Sequence, residues 1–129
     1  TVIVHTILCL PGESREMMLD TIRYLNTQDI QGIKLQLLHI LKHTDLADYY
    51  EKHPFHLPSR EEYYELLGMC ICNLRPDIVI HRLTGDGPRK LLVAPLWTGN
   101  KRQVLNGMQR YFKEQNIWQG KELIHGRNI

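Results

Sequence analysis

Three thiols, a carboxylate in a glycine turn and a basic pair ahead of a second glycine turn are the groups in this sequence with chemistry to offer. Cys9-Leu10-Pro11-Gly12-Glu13-Ser14 closes an apolar run, so the turn stands at a strand's carboxyl end, where α/β sheets and barrels hold ligands. His81 and Arg82 precede the loop Thr84-Gly85-Asp86-Gly87-Pro88 in the same way. Asp86 there can orient a substrate or simply pair with Arg82. Lys34 and Gln36 alternate with Ile33, Leu35 and Leu37, which puts two polar side chains on one face of a strand. Barrel interiors are normally filled by branched apolar residues, so this pair marks either a working cavity or a solvated edge. His53, His56, Cys70 and Cys72 offer two imidazoles and two thiols for zinc. Pro54 and Pro58 make the histidine segment a loop, however, and cysteines two apart on a helix diverge, so no metal site is expected. A phosphate at the helix start after Gly12 and at Gly85-Asp86-Gly87 is a weaker reading, because Glu13 and Asp86 would repel it. No Ser-His-Asp or G-x-S-x-G arrangement is present.

The elements that position these groups read as strand, helix, strand. Thr1 to Leu10 is β-branched and nearly continuously apolar, as a buried parallel strand would be, and Pro11-Gly12 stops it. Ser14 caps a helix whose apolar set Met18, Ile22 and Leu25 runs to Asn26. A second strand covers Ile33 to Leu41, and Thr44-Asp45-Leu46 opens a short helix ending by Lys52. Ser59 and Glu62 form a capping box for a helix to about Leu74, which Pro76 closes. Asp77 to Leu83 is the third strand and Lys90 to Trp97 an irregular apolar stretch. Asn100 to about Gln115 is an amphipathic helix carrying Val104, Leu105, Met108, Tyr111 and Phe112, and Trp118 to Ile129 is a polar tail. Strands alternating with helices predict an α/β fold with a parallel sheet and right-handed crossovers. Three strands leave two open edges and a bare inner face, so self-association, as a dimer, is expected.

A chain of 129 residues suits one domain, and 43% hydrophobic with 23% charged residues is ordinary for a globular protein. No apolar run approaches the ~18 residues of a membrane span. Sixteen Lys and Arg against 14 Asp and Glu, read as interleaved, leave no basic run for nucleic acid. Three cysteines, an odd number with no secretory leader, favour a reducing, cytoplasmic setting. The start inside an apolar run suggests a piece of a longer protein.

His5-Thr6-Ile7-Leu8 followed by Cys9-Leu10-Pro11-Gly12-Glu13 resembles the strand ending in G-L-P-G-E of radical S-adenosylmethionine (radical SAM) enzymes. Gly32 to Phe55 is similar to the segment where a strand leads to a G-T-x-L-x-x-x-Y turn and short helix in the same enzymes. Ile80 to Pro88 with LLVAPLW behind it looks like a bacterial subgroup related to the catalytic subunit of elongator. The resemblance implies the C-terminal half of a partial (β/α) barrel over residues 1–99, followed by a C-terminal helical extension and tail over 100–129. It implies a parent in which a 4Fe-4S cluster reductively cleaves SAM to methionine and a 5'-deoxyadenosyl radical that takes hydrogen from a substrate. Ile7, Cys9, Pro11 and Gly12 would then pack against the adenosine, with Glu13 fixing the turn. Lys34 and Gln36 would face the substrate cavity, and His81, Arg82 and Asp86 would line its mouth. No catalytic residue is assigned. The family's C-x-x-x-C-x-x-C loop is missing, so no cluster is expected in this chain, and Cys9 stands where the family usually has glycine. The implied partners are the N-terminal half of the barrel, SAM and a substrate. Related subgroups act on RNA bases, peptides or small metabolites, so RNA is a candidate. A non-catalytic binding or interaction module that kept one wall of such a barrel is the alternative.

Overall fold

The computed structural model describes residues 1–85 and 89–124. Along the chain come β1 (Ile3–Leu8), α1 (Arg15–Asn26), β2 (Gly32–Leu37), β3 (Ile40–Leu41), α2 (Asp45–Lys52) and α3 (Arg60–Cys72). These are followed by β4 (Val79–Arg82), β5 (Leu92–Ala94), α4 (Lys101–Glu114) and α5 (Lys121–Ile124). The caps are those expected from the side chains. Ser14 Oγ accepts the Met17 amide at 3.2 Å. Ser59 and Glu62 bond reciprocally, the Glu62 amide to Ser59 Oγ at 3.1 Å and the Ser59 amide to Glu62 Oε1 at 3.0 Å.

β1, β2 and β4 form a parallel sheet in the order β1-β2-β4, while β3 and β5 pair as a separate antiparallel ribbon. On one side of the sheet Leu8, Ile33, Leu35 and Leu37 meet Ile22 of α1 and Leu67 and Cys70 of α3, and Val104 and Met108 of α4 join the same core. Each such side chain contributes about 1.5–3 kcal/mol by burial. The opposite side has no covering layer among the described residues, so Ile3, Ile7 and Val79 stay exposed. The apolar run from Thr1 is therefore a half-buried strand and not a fully buried one.

Two other expectations change. The second strand ends at Leu37, because the Leu38 amide closes the ladder on the Leu8 carbonyl at 3.0 Å and Ile40–Leu41 turns away to pair with β5. The tail after Trp118 docks as far as it is described. Gln119 Nε2 donates to the Arg75 and Ile78 carbonyls at 2.9 and 2.6 Å, and the Gly120 amide donates to Ile71 at 3.0 Å. A polar side chain aimed at backbone carbonyls leaves no hydrophobic pattern to read.

Candidate functional site: the carboxyl end and bare face of the sheet

The turn after β1 is built around Glu13. Its Oε1 accepts the Cys9 and Leu10 amides at 3.1 and 3.3 Å, and its own amide donates to the Leu10 carbonyl at 2.9 Å. Gly12 takes φ +76°, and a Cβ there would meet nothing within 4 Å, so the space above the turn is open. Cys9 takes φ +68°, a left-handed conformation that costs a non-glycine residue about 1–2 kcal/mol. It is buried with the core and also lines the groove above the turn. Burial, reinforced by the charges of Glu13 and Glu62, pushes the Cys9 thiol up to about 11. Burial likewise raises Cys70 to about 12 and lifts Cys72. All three thiols are thus held protonated, unlike metal ligands or nucleophiles. No three His, Cys, Asp or Glu side chains converge on a metal-sized site among the described residues. The residues present do not fit a 4Fe-4S cluster.

The bare face brings together most of the expected cavity residues. The register pairs Ile3 with Gly32, His5 with Lys34 and Ile7 with Gln36, so these six side-chain positions share the uncovered side. β2 is the central strand, so Lys34 and Gln36 stand away from the sheet edges. His81 lies across this face from β4: a Cβ on Gly32 would come within 2.6 Å of its Nε2. Arg82 ends β4 at the same carboxyl end, opposite Lys34. Asp86 lies outside the described residues. His5 and Gly32 escaped the sequence reading, although the period-two alternation that singled out Lys34 and Gln36 applies equally to β1.

A groove of about 560 Å³ runs from the turn (Leu10, Gly12, Glu13) to Phe55, His56 and Glu62. His56 Nε2 lies 3.0 Å from Glu62 Oε2. The Ser59 amide and then His56 hold the Glu62 carboxyl below its usual range. Only the three-dimensional fold brings the α2–α3 loop beside the β1 turn. The Tyr63 hydroxyl donates to the Leu83 carbonyl at 2.8 Å and ties the end of β4 to α3.

Charge proves to be segregated rather than interleaved. Residues 87–113 hold Arg89, Lys90, Lys101, Arg102, Arg110 and Lys113 with no acid. A second groove, of about 440 Å³, is lined by Arg60, Arg102, Arg110, Asn100, Gln103 and Asn106. The signal was in the sequence, but counted over the whole chain it cancels.

Residues 30–114, about two thirds of the chain, match the family described as the Radical_SAM C-terminal domain. The chain belongs to that family. It is 38% identical to the uncharacterized protein YtqA of Bacillus subtilis (strain 168) over 117 residues, which is 91% of this chain and 36% of that protein. It is 32% identical to protein YhcC of Escherichia coli (strain K12) over 119 residues, 92% of this chain and 38% of that protein. The chain thus spans little more than a third of the length of the curated relatives it matches. Its fold is similar to the archaeal Methanocaldococcus infernus Elp3 with N-terminus deletion (1-46). That match has a TM-score of 0.72 at 16% identity and covers 91% of this chain and 28% of that one. The expected fold, a C-terminal part of the radical SAM α/β type, is what the chain has.

The left-handed residues explain the family's glycines. Cys9 stands at the first glycine of G-L-P-G-E and has φ +68°, and His43 stands at the glycine of G-T-x-L-x-x-x-Y and has φ +66°. At the two positions where the motifs it resembles carry glycine, this chain has a backbone that glycine adopts freely, with another residue in its place.

Proposed function

We propose that this chain forms one wall of the SAM and substrate cavity of a radical SAM enzyme, with the cluster held by the rest of the parent. The observation that carries the reading is the Glu13-fixed turn, open above Gly12, standing beside a sheet face that carries Lys34, Gln36 and His81. The chemistry such a parent supplies is one-electron cleavage of SAM followed by hydrogen abstraction. The share of this chain is positioning and exclusion of water. Ile7, Pro11 and Gly12 give an apolar, unobstructed surface for the adenosine. Glu13 engages two amides, which fixes where that surface lies. Lys34, Gln36, His81 and Arg82 orient the substrate.

The Arg60, Arg102 and Arg110 groove supports RNA as that substrate, since arginine and amide side chains suit a phosphate and ribose backbone. Binding of an RNA oligonucleotide should weaken steeply with salt. An affinity independent of salt would remove RNA from the reading. As an isolated chain it self-associates through the open edges of β1 and β4; a monodisperse monomer at micromolar concentration would overturn that.

The deciding experiment is the mass and iron content of the native polypeptide purified without oxygen from its source cells. A chain of roughly twice this length or more, with about four irons, is expected. A native chain of this length without iron leaves a binding module that kept only the wall.

A further inference from the structure

We propose that the bare face of the sheet is an oxyanion-binding wall, in which Lys34, His5 and His81 take a carboxylate or phosphate group of the substrate. The proposal rests on the reading of that face as a cavity wall and adds the substrate's charge to it. Each of the three parallel strands contributes at least one basic group: β1 His5, β2 Lys34 and β4 His81, with Arg82 ending β4. None of these strands holds an Asp or Glu. His5 and Lys34 are direct cross-strand partners, and His81 reaches over Gly32, the next residue but one before Lys34 on the same face. Lys34 is only half exposed, and no hydrogen bond or ion pair joins it to another side chain among the described residues. A half-buried ammonium with no counter-charge among the described residues is stabilised by an arriving anion, and the apolar Ile3, Ile7 and Val79 on the same face offer the ammonium no competing partner.

Gly32 is the second sign that the arrangement is built. Glycine inside a strand weakens it. A Cβ at this position would come within 2.6 Å of His81 Nε2 and 3.2 Å of Ile3 Cγ1. The missing side chain is the space the imidazole occupies, and it lets the His81 ring lie over β2, the central strand, instead of outside the sheet.

The test uses the full chain, labelled with nitrogen-15, titrated at constant ionic strength with inorganic phosphate and, separately, acetate. The His5 and His81 ring signals should move together, saturate and share one midpoint, while those of His53 and His56 in the α2–α3 loop do not. A response to phosphate alone identifies a phosphate group, and a response to both admits a carboxylate. Lys34→Gln should raise the midpoint tenfold or more, since it removes the charge from a charge-assisted bond. Gly32→Ala should abolish the His81 response and keep that of His5. Equal, unsaturable movement of all four histidines, or a Lys34→Gln protein that binds as before, overturns the proposal. In the same sample, neutral 5'-deoxyadenosine reads the amides of Ile7 to Glu13. A nucleoside response without an anion response sinks this inference alone. The reverse sinks the adenosine placement, and silence in both arms sinks the cavity reading with it.

Discussion

The two ends of the parallel sheet are held in opposite ways. At the amino end, Arg75 spans the α1–β2 loop: its guanidinium donates to the Asn26, Gln28 and Ile30 carbonyls at 2.8, 3.2 and 3.1 Å and pairs with Asp77 at 2.6 Å. Asn26 answers across the same gap, accepting the Arg75 amide and donating to the Asn73 carbonyl, at 2.8 and 2.7 Å. At the carboxyl end the loops carry strained backbone at Cys9, a groove and a turn hung on one carboxylate. Polar groups at the amino end are satisfied by the protein itself, and those at the carboxyl end leave room for something else. That division is the one α/β barrels make between a stabilising face and a working face.

Alkaline pH should affect the carboxyl end first and most. The thiols of Cys9 and Cys70 titrate near 9.0 in an ordinary setting but are raised by burial to about 11 and about 12, and burial raises the Tyr63 phenol as well. A raised thiol contributes stability that is complete below pH 9 and is lost as pH climbs through the folded value. Each thiol then removes up to about 1.4 kcal/mol per pH unit inside its window. Denaturant unfolding from pH 8 to 11 should trace this fall, and Cys9→Ala should flatten part of it. Identical slopes for the two proteins would mean that Cys9 is not buried as described. Hydrogen exchange should show Leu10 opening before Asn26 as pH rises.

Breaking the amino end directly should have the next largest effect. Arg75→Ala takes the guanidinium from the part-buried Asn26 and Ile30 carbonyls, while Gln28 keeps the Ile30 amide at 3.0 Å, and should cost about 2–3 kcal/mol in urea unfolding with the nucleoside response at Ile7 to Glu13 unchanged. A loss under ~0.5 kcal/mol would end the contrast between the two ends. Glu13→Ala should do the reverse: about 1 kcal/mol in global stability but faster exchange of the Cys9 and Leu10 amides and a lost nucleoside response.

How much of this could be read in advance follows the same division. The turn at Pro11-Gly12-Glu13, the caps at Ser14 and Ser59 and the shared face of Lys34 and Gln36 come from spacings of four residues or fewer, so local pattern carries them. Arg75 with Asn26, and Gln119 with Ile78, join residues more than forty positions apart through backbone carbonyls, which have no sequence signature. The groove was half legible: the β1 turn was visible, but Phe55 and His56 reach it only because α3 folds back beside α1. His81 over Gly32 needs both the register of β2 with β4 and a missing side chain, and neither strand shows that alone.

The smallest effect separates strain from packing at the carboxyl end. His43 and Cys9 share a left-handed backbone at φ +66° and +68°, and glycine at either position relieves about 1–2 kcal/mol of steric cost. Glycine also loosens the unfolded chain, which offsets about 0.5–1 kcal/mol. His43 is exposed, so nothing else changes there and His43→Gly should stabilise the protein by about 0.5–1 kcal/mol. Cys9 is buried in the core, so Cys9→Gly also loses the packing of its side chain, about 1 kcal/mol, and should come out neutral or slightly destabilising. Thermal denaturation of both variants below pH 8, where the thiols stay protonated, checks the difference. Equal gains would mean that the Cys9 side chain contributes nothing to the core and that the turn tolerates it only as strain. A gain for His43→Gly alone would mean that burial holds cysteine in a position whose backbone favours glycine.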